Sequence, residues 1–398
     1  MTHIVIVGAG QAAASCCAKL RAEGHDGPIT LIGAEPVPPY QRPPLSKAYL
    51  LGDLARERLF LRPEAWYDEN DITLRTGTRV TGLRADLKQI ELEAREMLSY
   101  DHLVLATGAH PRALPAEIGG DLDGVFLVRD LADADAMAPA FEGGHLLVVG
   151  GGYIGLEAAA VARKRGMDVT LIEAAPRILG RVACAETADA VRALHQSHGV
   201  TIREGVGLTR LIGEDRVTGA ELSDGATLEV TAVVAGIGVT PATILAEAAG
   251  LTIDNGIAVD EQGRASAEGV WAIGDCANFP HAGGRMRLES VGNAIDMGEL
   301  VARNILGAGQ AYTPHPWFWS DQYDDKLQIA GLGTGADRVV VRQADGLSHW
   351  YYREGQLIAV DALNDPRAYM VGKRLIEGGA SPAPEAVANP STALKSLL

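Results

Sequence analysis

The chain of 398 residues has four cysteines, and no two of them form a C-x-x-C pair. Cys16 and Cys17 are adjacent, while Cys184 and Cys276 stand alone, so neither a metal cage nor a redox dithiol is suggested. No spaced set of four cysteines is present to hold an iron–sulfur cluster. Long apolar runs are also missing. No stretch approaches the roughly 18–20 apolar residues of a spanning helix. The apolar start at Ile4–Val7 is short and runs into glycines, whereas a signal peptide needs a longer apolar core and a cleavage site. These absences predict a cytoplasmic protein with no membrane partner and no bound metal. Positive charge is scarce: 35 Lys and Arg against 51 Asp and Glu give a net charge of −16. That balance argues against a nucleic-acid partner. It still permits a local basic patch that meets an acidic protein. Aromatics are few, and nine of the twenty fall within residues 311–398, which marks that tail as a separate domain.

A chain of this length is expected to divide into two or three domains. His3–Val7 is a short β-branched run suited to a buried parallel strand. Gly8-Ala-Gly10 follows as a turn, Gln11–Glu23 as an Ala-rich helix and Ile29–Ile32 as a second strand, with Glu35 just beyond its end. The unit recurs. His145–Val149 is a strand, Gly150-Gly-Gly152 a turn, Tyr153–Arg165 a helix and Val169–Glu173 the next strand. Tyr100–Gly108, Ala232–Pro241 and Gly269–Ala277 each read as a strand meeting a turn. In the tail, strands are expected near Leu327–Gly331, Arg338–Arg342, Leu347–Arg353 and Leu357–Val360, with an extended end from Gly378 onward. The expected fold is α/β: two Rossmann-like nucleotide-binding domains and a smaller α+β C-terminal domain. The expected boundaries are 1–109 and 236–312 for the two parts of the first domain, 110–235 for the second and 313–398 for the tail.

The turns carry the chemistry. Gly8-x-Gly10-x-x-Ala13 opens a helix directly after a strand. Gly8 permits the tight turn, Gly10 lets backbone approach a pyrophosphate, and Ala13 allows close helix–strand packing, with the phosphates on the helix N-terminus. Glu35 stands where a ribose-binding acid belongs. Such a turn also occurs for packing alone, and it is the strand, helix and acid around it that favour a dinucleotide. The second turn, Gly150-Gly-Gly152-Tyr-Ile-Gly155, carries every glycine of the fingerprint. Glu173 ends the following strand, where a carboxylate accepts hydrogen bonds from a ribose 2′-hydroxyl and repels a 2′-phosphate. A surface glutamate at a strand end is the plainer alternative.

Taken together, VVGGGYIGLEAA, LVLATGA and GVWAIGDCA resemble the two-dinucleotide flavoproteins related to glutathione reductase. The resemblance covers nearly the whole chain. It implies that the first unit holds FAD and the second NAD(P)H. Residues 38–48 then point to a subgroup. Disulfide reductases of this kind carry a redox cysteine pair there, and this chain has none. The string Tyr40-Gln-Arg-Pro-Pro-Leu-Ser-Lys47, with Leu288–Ala294 and Trp317–Gln322, resembles the FAD-dependent NADH:ferredoxin reductases of the putidaredoxin and Rieske-oxygenase type.

That resemblance implies site residues. For FAD they are Gly8, Gly10, Ala12, Ala13, Glu35, Arg42, Lys47, Val80, Ala106, Thr107, Gly108, Arg129, Gly274, Asp275, Val291 and Trp319. Among these, Asp275 faces the ribityl or phosphate region, or else serves as a helix N-cap. Val80 lies near adenine, Val291 meets the ring by backbone, and Lys47 is a cation able to stabilise anionic reduced flavin. For NAD they are Gly150, Gly152, Tyr153, Ile154, Gly155, Glu157, Glu173, Gly236 and Gly238. Tyr153 either covers the flavin or packs the domain, and Glu157, four residues on, faces the same side.

The implied reaction passes hydride from NADH to FAD and single electrons onward to a 2Fe–2S ferredoxin that serves a cytochrome P450 or a Rieske oxygenase. The flavin carries the chemistry, so no protein nucleophile or general acid is required. A rubredoxin reductase would share every motif. A nucleotide-responsive flavoprotein of the apoptosis-inducing-factor kind is a third reading, and an NADH oxidase or peroxidase would need the cysteine that residues 38–48 lack. The sequence leaves the oligomeric state open.

Overall fold

The computed structural model describes all 398 residues, which divide into two compact units. The first comprises Met1–Arg42, Ala55–His110 and Val239–Pro316. Its centre is a five-stranded parallel sheet in the order Val270–Ala272, His102–Leu105, Ile4–Val7, Ile29–Ile32, Ile72–Arg75. The strands at Ile4 and Ile29 are buried along their whole length, as expected where helices cover both faces of a parallel sheet. Two helices, Gln11–Ala22 and Val291–Ile305, pack on each other across a glycine. A Cβ on Gly298 would stand 2.5 Å from the Ala12 carbonyl oxygen, so only glycine permits that approach.

The second unit comprises Pro43–Leu54, Pro111–Gly238 and Trp317–Leu398. It repeats the first plan: a parallel sheet ordered Val200–Glu204, Asp168–Glu173, His145–Val149, Ala232–Ala235, Val125–Phe126, and a helix, Tyr153–Lys164, that follows the central strand. The tail adds an antiparallel sheet ordered Trp317–Gln322, Asp325–Gly331, Gln356–Leu363, Leu347–Arg353, Arg338–Gln343. Its core holds Trp350, Tyr352, Val360 and Leu375.

The tail adds two elements to those expected and corrects one expectation. Trp317–Gln322 is a strand and Pro366–Glu377 a helix, as an α+β domain requires. The helix has a local cause, because Asp365 accepts the Ala368 N–H and Pro366 occupies its first turn. The segment after Gly378 is not simply extended. It forms a short helix at Pro384–Ala388 with Val387 fully buried. The buried Arg342 donates to the carbonyl oxygens of Val387, Asn389, Pro390 and Thr392, and so satisfies backbone that an extended tail would leave to water. No helix is long and apolar enough to cross a membrane, and no cluster of His, Cys, Asp or Glu is arranged to hold a metal.

Candidate cofactor sites

Each fingerprint helix starts without a protein cap. Gly10 and Gly152 are the N-cap residues, neither helix has a side-chain cap bond, and neither has an acid in its first turn. By contrast, Ser290, Asp130, Asp365 and Cys184 cap other helices with their side chains. A Cβ on Gly10 or Gly152 would meet open space. Both ends therefore present N–H groups and a positive dipole with no side chain in the way, which suits a pyrophosphate.

The turns themselves admit only glycine. Gly8 has φ +105 and a Cβ there would lie 2.2 Å from the Ala106 carbonyl oxygen. Gly150 has φ +108, and its Cβ would lie 2.4 Å from the Gly236 oxygen. Ala106–Gly108 and Gly236–Gly238 are thus brought against the two phosphate turns by the parallel pairing of their strands. Thr107 donates its hydroxyl to the Ala242 oxygen at 2.7 Å, and the Ala242 N–H donates to the Gly108 oxygen at 2.9 Å.

In the first unit, Gly274 sits between the two N-terminal helical turns. A Cβ on it would be 3.1 Å from the Ala12 Cβ and 3.9 Å from the Ala294 Cβ. Asp275 follows inside a short 3-10 turn, Gly274–Cys276, whose N-cap is Ile273. The N-cap role considered for Asp275 is therefore not adopted. Val291 opens the adjoining helix, and Ala13 is fully buried under the sheet. The acid Glu35 is held by neighbours: Arg42 Nη2 donates to Oε1 at 2.6 Å, and the Tyr40 hydroxyl donates to Oε2 at 2.6 Å. A carboxylate accepts about four hydrogen bonds, so Glu35 keeps capacity for a ribose diol while Arg42 fixes its position. Val80 is placed nearby through backbone, because Gly77 N–H donates to the Glu35 oxygen and Thr78 N–H to the Gly33 oxygen. These features fit an adenine dinucleotide.

In the second unit, Glu173 is pinned in the same way. Its Oε2 accepts the Gly151 N–H and its Oε1 the Ala175 N–H, both at 2.7 Å. Ile154 is exposed at the second position of the helix. Tyr153 lies on Phe318, with ring centroids 4.5 Å apart. Its hydroxyl is buried with no hydrogen-bond partner, and burial pushes its pKa well up.

Lys47, Arg129 and Trp319, assigned to FAD by resemblance, belong to this second unit. Arg129 directly precedes the capping box formed by Asp130 and Asp133. Lys47 pairs with Glu157 at 2.9 Å, and the two side chains are only 15% and 4% exposed. Ser46 donates to Glu157 Oε2 and Ser320 to Oε1, each at 2.6 Å. Burial raises the Glu157 pKa, against the opposing pull of Lys47 and the two hydroxyls. Lys47 Nζ also stands 5.8 Å from the centre of the Trp319 ring, a cation–π contact. Glu157 is thus the anchor of Lys47. Ser46 and Ser320 were missed as site residues although both lie inside the motif strings that carry the resemblance.

Residues 2–298 match the pyridine nucleotide-disulphide oxidoreductase family, and residues 317–398 match the reductase C-terminal family. The chain is 42% identical to rhodocoxin reductase of Rhodococcus erythropolis, over 98% of this chain and 93% of the relative. The crystal structure of the covalent putidaredoxin reductase–putidaredoxin complex is similar with TM-score 0.96 and 38% identity, over 100% of this chain and 98% of that one. The ferredoxin reductase for the CYP199A2 system of Rhodopseudomonas palustris is similar with TM-score 0.96 and 39% identity, over 100% and 99%. The antiparallel tail is therefore that of the reductase C-terminal family, and with its paired glycine turns and the acids behind them this chain belongs to the pyridine nucleotide-disulphide oxidoreductase family.

Proposed function

We propose that this protein is an FAD-dependent NADH:ferredoxin oxidoreductase that feeds a cytochrome P450 or Rieske oxygenase through a 2Fe–2S ferredoxin. The observation that carries the reading lies at residues 38–48, where a lysine with a 15% exposed side chain stands and no cysteine does. Cys16, Cys17 and Cys276 are buried, and Cys184 caps a helix. The chain thus has no dithiol to receive electrons, and they leave to a separate carrier. Relatives that are named for such carriers over their full length support the same conclusion.

In this reading residues 1–109 and 236–312 hold FAD, residues 110–235 hold NADH, and residues 313–398 form the C-terminal domain. Gly8, Gly10, Ala12, Ala13, Gly274 and Asp275 bind the FAD phosphates and ribityl chain, and Glu35 and Arg42 the adenosine end. Lys47 and Trp319 meet the flavin. Gly150, Gly152, Gly155 and Glu173 bind NADH. Bound FAD supplies the conversion of a two-electron hydride into single electrons. The protein residues orient both nucleotides, and Glu157 holds Lys47 in place. The four free thiols accord with a reducing cytoplasmic setting.

The purified protein is expected to be yellow with about one FAD per chain. NADH should reduce cytochrome c slowly until a 2Fe–2S ferredoxin is added. Docking falls to local cations such as Arg56, Arg58, Arg62, Lys326 or Arg353, or else to apolar contact, because the chain carries −16 overall. Arg56, Arg58 and Arg353 are exposed and join no ion pair, while Lys326 lies 3.9 Å from Asp321. Rising salt should therefore slow the ferredoxin-dependent rate, since screening shortens to about 8 Å at physiological ionic strength. A colourless protein that does not take up FAD overturns the whole reading. Acceleration by rubredoxin alone replaces the partner, and no acceleration by any ferredoxin of the host rejects the reductase function.

A further inference from the structure

A buried carboxylate in the C-terminal sheet is left unused by this mechanism. Asp361, 1% exposed, stands on Gln356–Leu363, opposite His349 on one neighbouring strand and Ile329 on the other. No cation pairs with it. Its Oδ2 accepts the Thr187 hydroxyl at 2.7 Å and also the Tyr351 hydroxyl. Thr187 Oγ1 is 2.8 Å from His349 Nδ1. The single Thr187 proton goes to Asp361, so Nδ1 of His349 is the donor in that contact.

These partners lead to the nucleotide turn. Tyr351 accepts the Cys184 N–H at 2.8 Å. Cys184 caps the Ala185–Ser197 helix by accepting the Thr187 N–H. The carbonyl oxygens of Ala183 and Cys184 are gripped by Arg177 at 2.8 and 3.1 Å. Leu179, two residues after Arg177, donates its N–H to the Gly151 oxygen at 2.9 Å. Gly151 in turn donates to Glu173. Hydrogen bonds, joined by the short stretch of chain from Arg177 to Leu179, thus link Asp361 to the Gly150–Gly152 turn and its acid.

We propose that Asp361 is a positioning residue for the pyridine nucleotide: through Thr187 and Tyr351 it fixes segment 174–184, and with it Gly151 and Glu173. The proposal rests on the reading that places NADH at Glu173. Bonds to an ionised acceptor are about twice as strong as neutral ones, so the anchor holds while Asp361 is charged and slackens when it takes a proton. Burial pushes its carboxyl up to about 6, so the change falls between pH 7.5 and 5. The groups facing it are Tyr351 and His349 from the adjacent strand, Cys184 at the start of the Ala185 helix and Tyr153 on the Tyr153–Lys164 helix; beyond them Glu186 faces His349 and Glu157 faces Tyr153. Burial lowers the His349 pKa.

The test is the pH dependence of NADH kinetics with ferricyanide as acceptor, in the flavin-loaded full chain. In the wild type, KM for NADH should rise about fivefold from pH 7.5 to 5, the worth of roughly one hydrogen bond, with kcat little changed. Asp361→Asn should show the raised KM at both pH values and no dependence between them. Thr187→Ser should keep the wild-type profile and Thr187→Val should lose it, which covers the case in which Asp361→Asn does not fold. An Asp361→Asn or Thr187→Val protein with the wild-type KM and profile overturns the proposal. Glu173→Gln is the control for the underlying reading. If it raises KM while the Asp361 and Thr187 variants do not, only the anchor fails. If it leaves KM unchanged, the placement of NADH fails and the anchor with it.

Discussion

Replacing Lys47 by alanine should destabilise the protein by about 3–5 kcal/mol, the usual cost of removing one partner from a buried ion pair. Glu157 is 4% exposed, and without Lys47 only the hydroxyls of Ser46 and Ser320 face it. The carboxylate then escapes its desolvation by taking a proton. The pH dependence follows with a definite sign. The folded-state pKa of Glu157 already stands above its unfolded value because of burial. The folded state therefore keeps this proton longer than the unfolded chain, and stability falls as pH rises between the two values. Removing Lys47 takes away a lowering influence, so that interval should extend to higher pH and the variant should lose most stability on the alkaline side. Lys47→Ala combined with Glu157→Gln should recover much of the loss, because a neutral amide costs less to bury than an unpaired carboxylate. Chemical denaturation at several pH values measures both effects. A Lys47→Ala protein within about 0.5 kcal/mol of wild type, as for an ordinary surface substitution, would show that the pair contributes little. Turnover with NADH should also fall, since the lysine proposed to meet the flavin is gone.

NADH should be preferred to NADPH on the order of a hundredfold in kcat/KM, about 2.7 kcal/mol, within the range for like charges forced together. Glu173 cannot swing away from a 2′-phosphate without giving up its bonds to the Gly151 and Ala175 N–H groups. Of the two nearby arginines, Arg177 is committed to the Ala183 and Cys184 carbonyl oxygens. Arg181 is exposed, with Nη2 3.8 Å from where a Gly238 Cβ would stand. That places it beside the Gly236–Gly238 segment. Glu173→Gln should shrink the preference by removing the repulsion and should raise KM for NADH by weakening the ribose contact. Steady-state comparison of the two nucleotides decides it, and equal efficiency in the wild type would reject the assignment of Glu173 as the discriminating acid.

The two nucleotide turns were legible because everything they need is contiguous. A strand, two or three glycines and a helix lie within about twenty residues, and the spacing alone states where backbone must approach a phosphate. The repeat of that unit and the aromatic tail pointed to the fold class, and the subgroup came from the resemblance carried by Tyr40–Lys47, Leu288–Ala294 and Trp317–Gln322, with no cysteine at residues 38–48. The Pro366–Glu377 helix also had a readable cap in Asp365-Pro366.

What the tertiary structure alone decided is which polar side chains meet. Glu157 read from its place on the helix as a nicotinamide contact, four residues after Tyr153. The fold surrounds it with Ser46, Lys47 and Ser320, from segments more than one hundred residues away on either side, which the helix position alone did not foretell. Asp361 carried no sequence signal at all, and its partners Thr187, Tyr351 and His349 come from a different helix and strand. Arg342 looked like an ordinary strand residue until the tail folded over it. Periodicity and glycine spacing are properties of neighbouring residues and survive in the linear sequence. The pairing of a buried charge depends on segments that only the packed chain brings together, and burial is also what makes such a pairing obligatory.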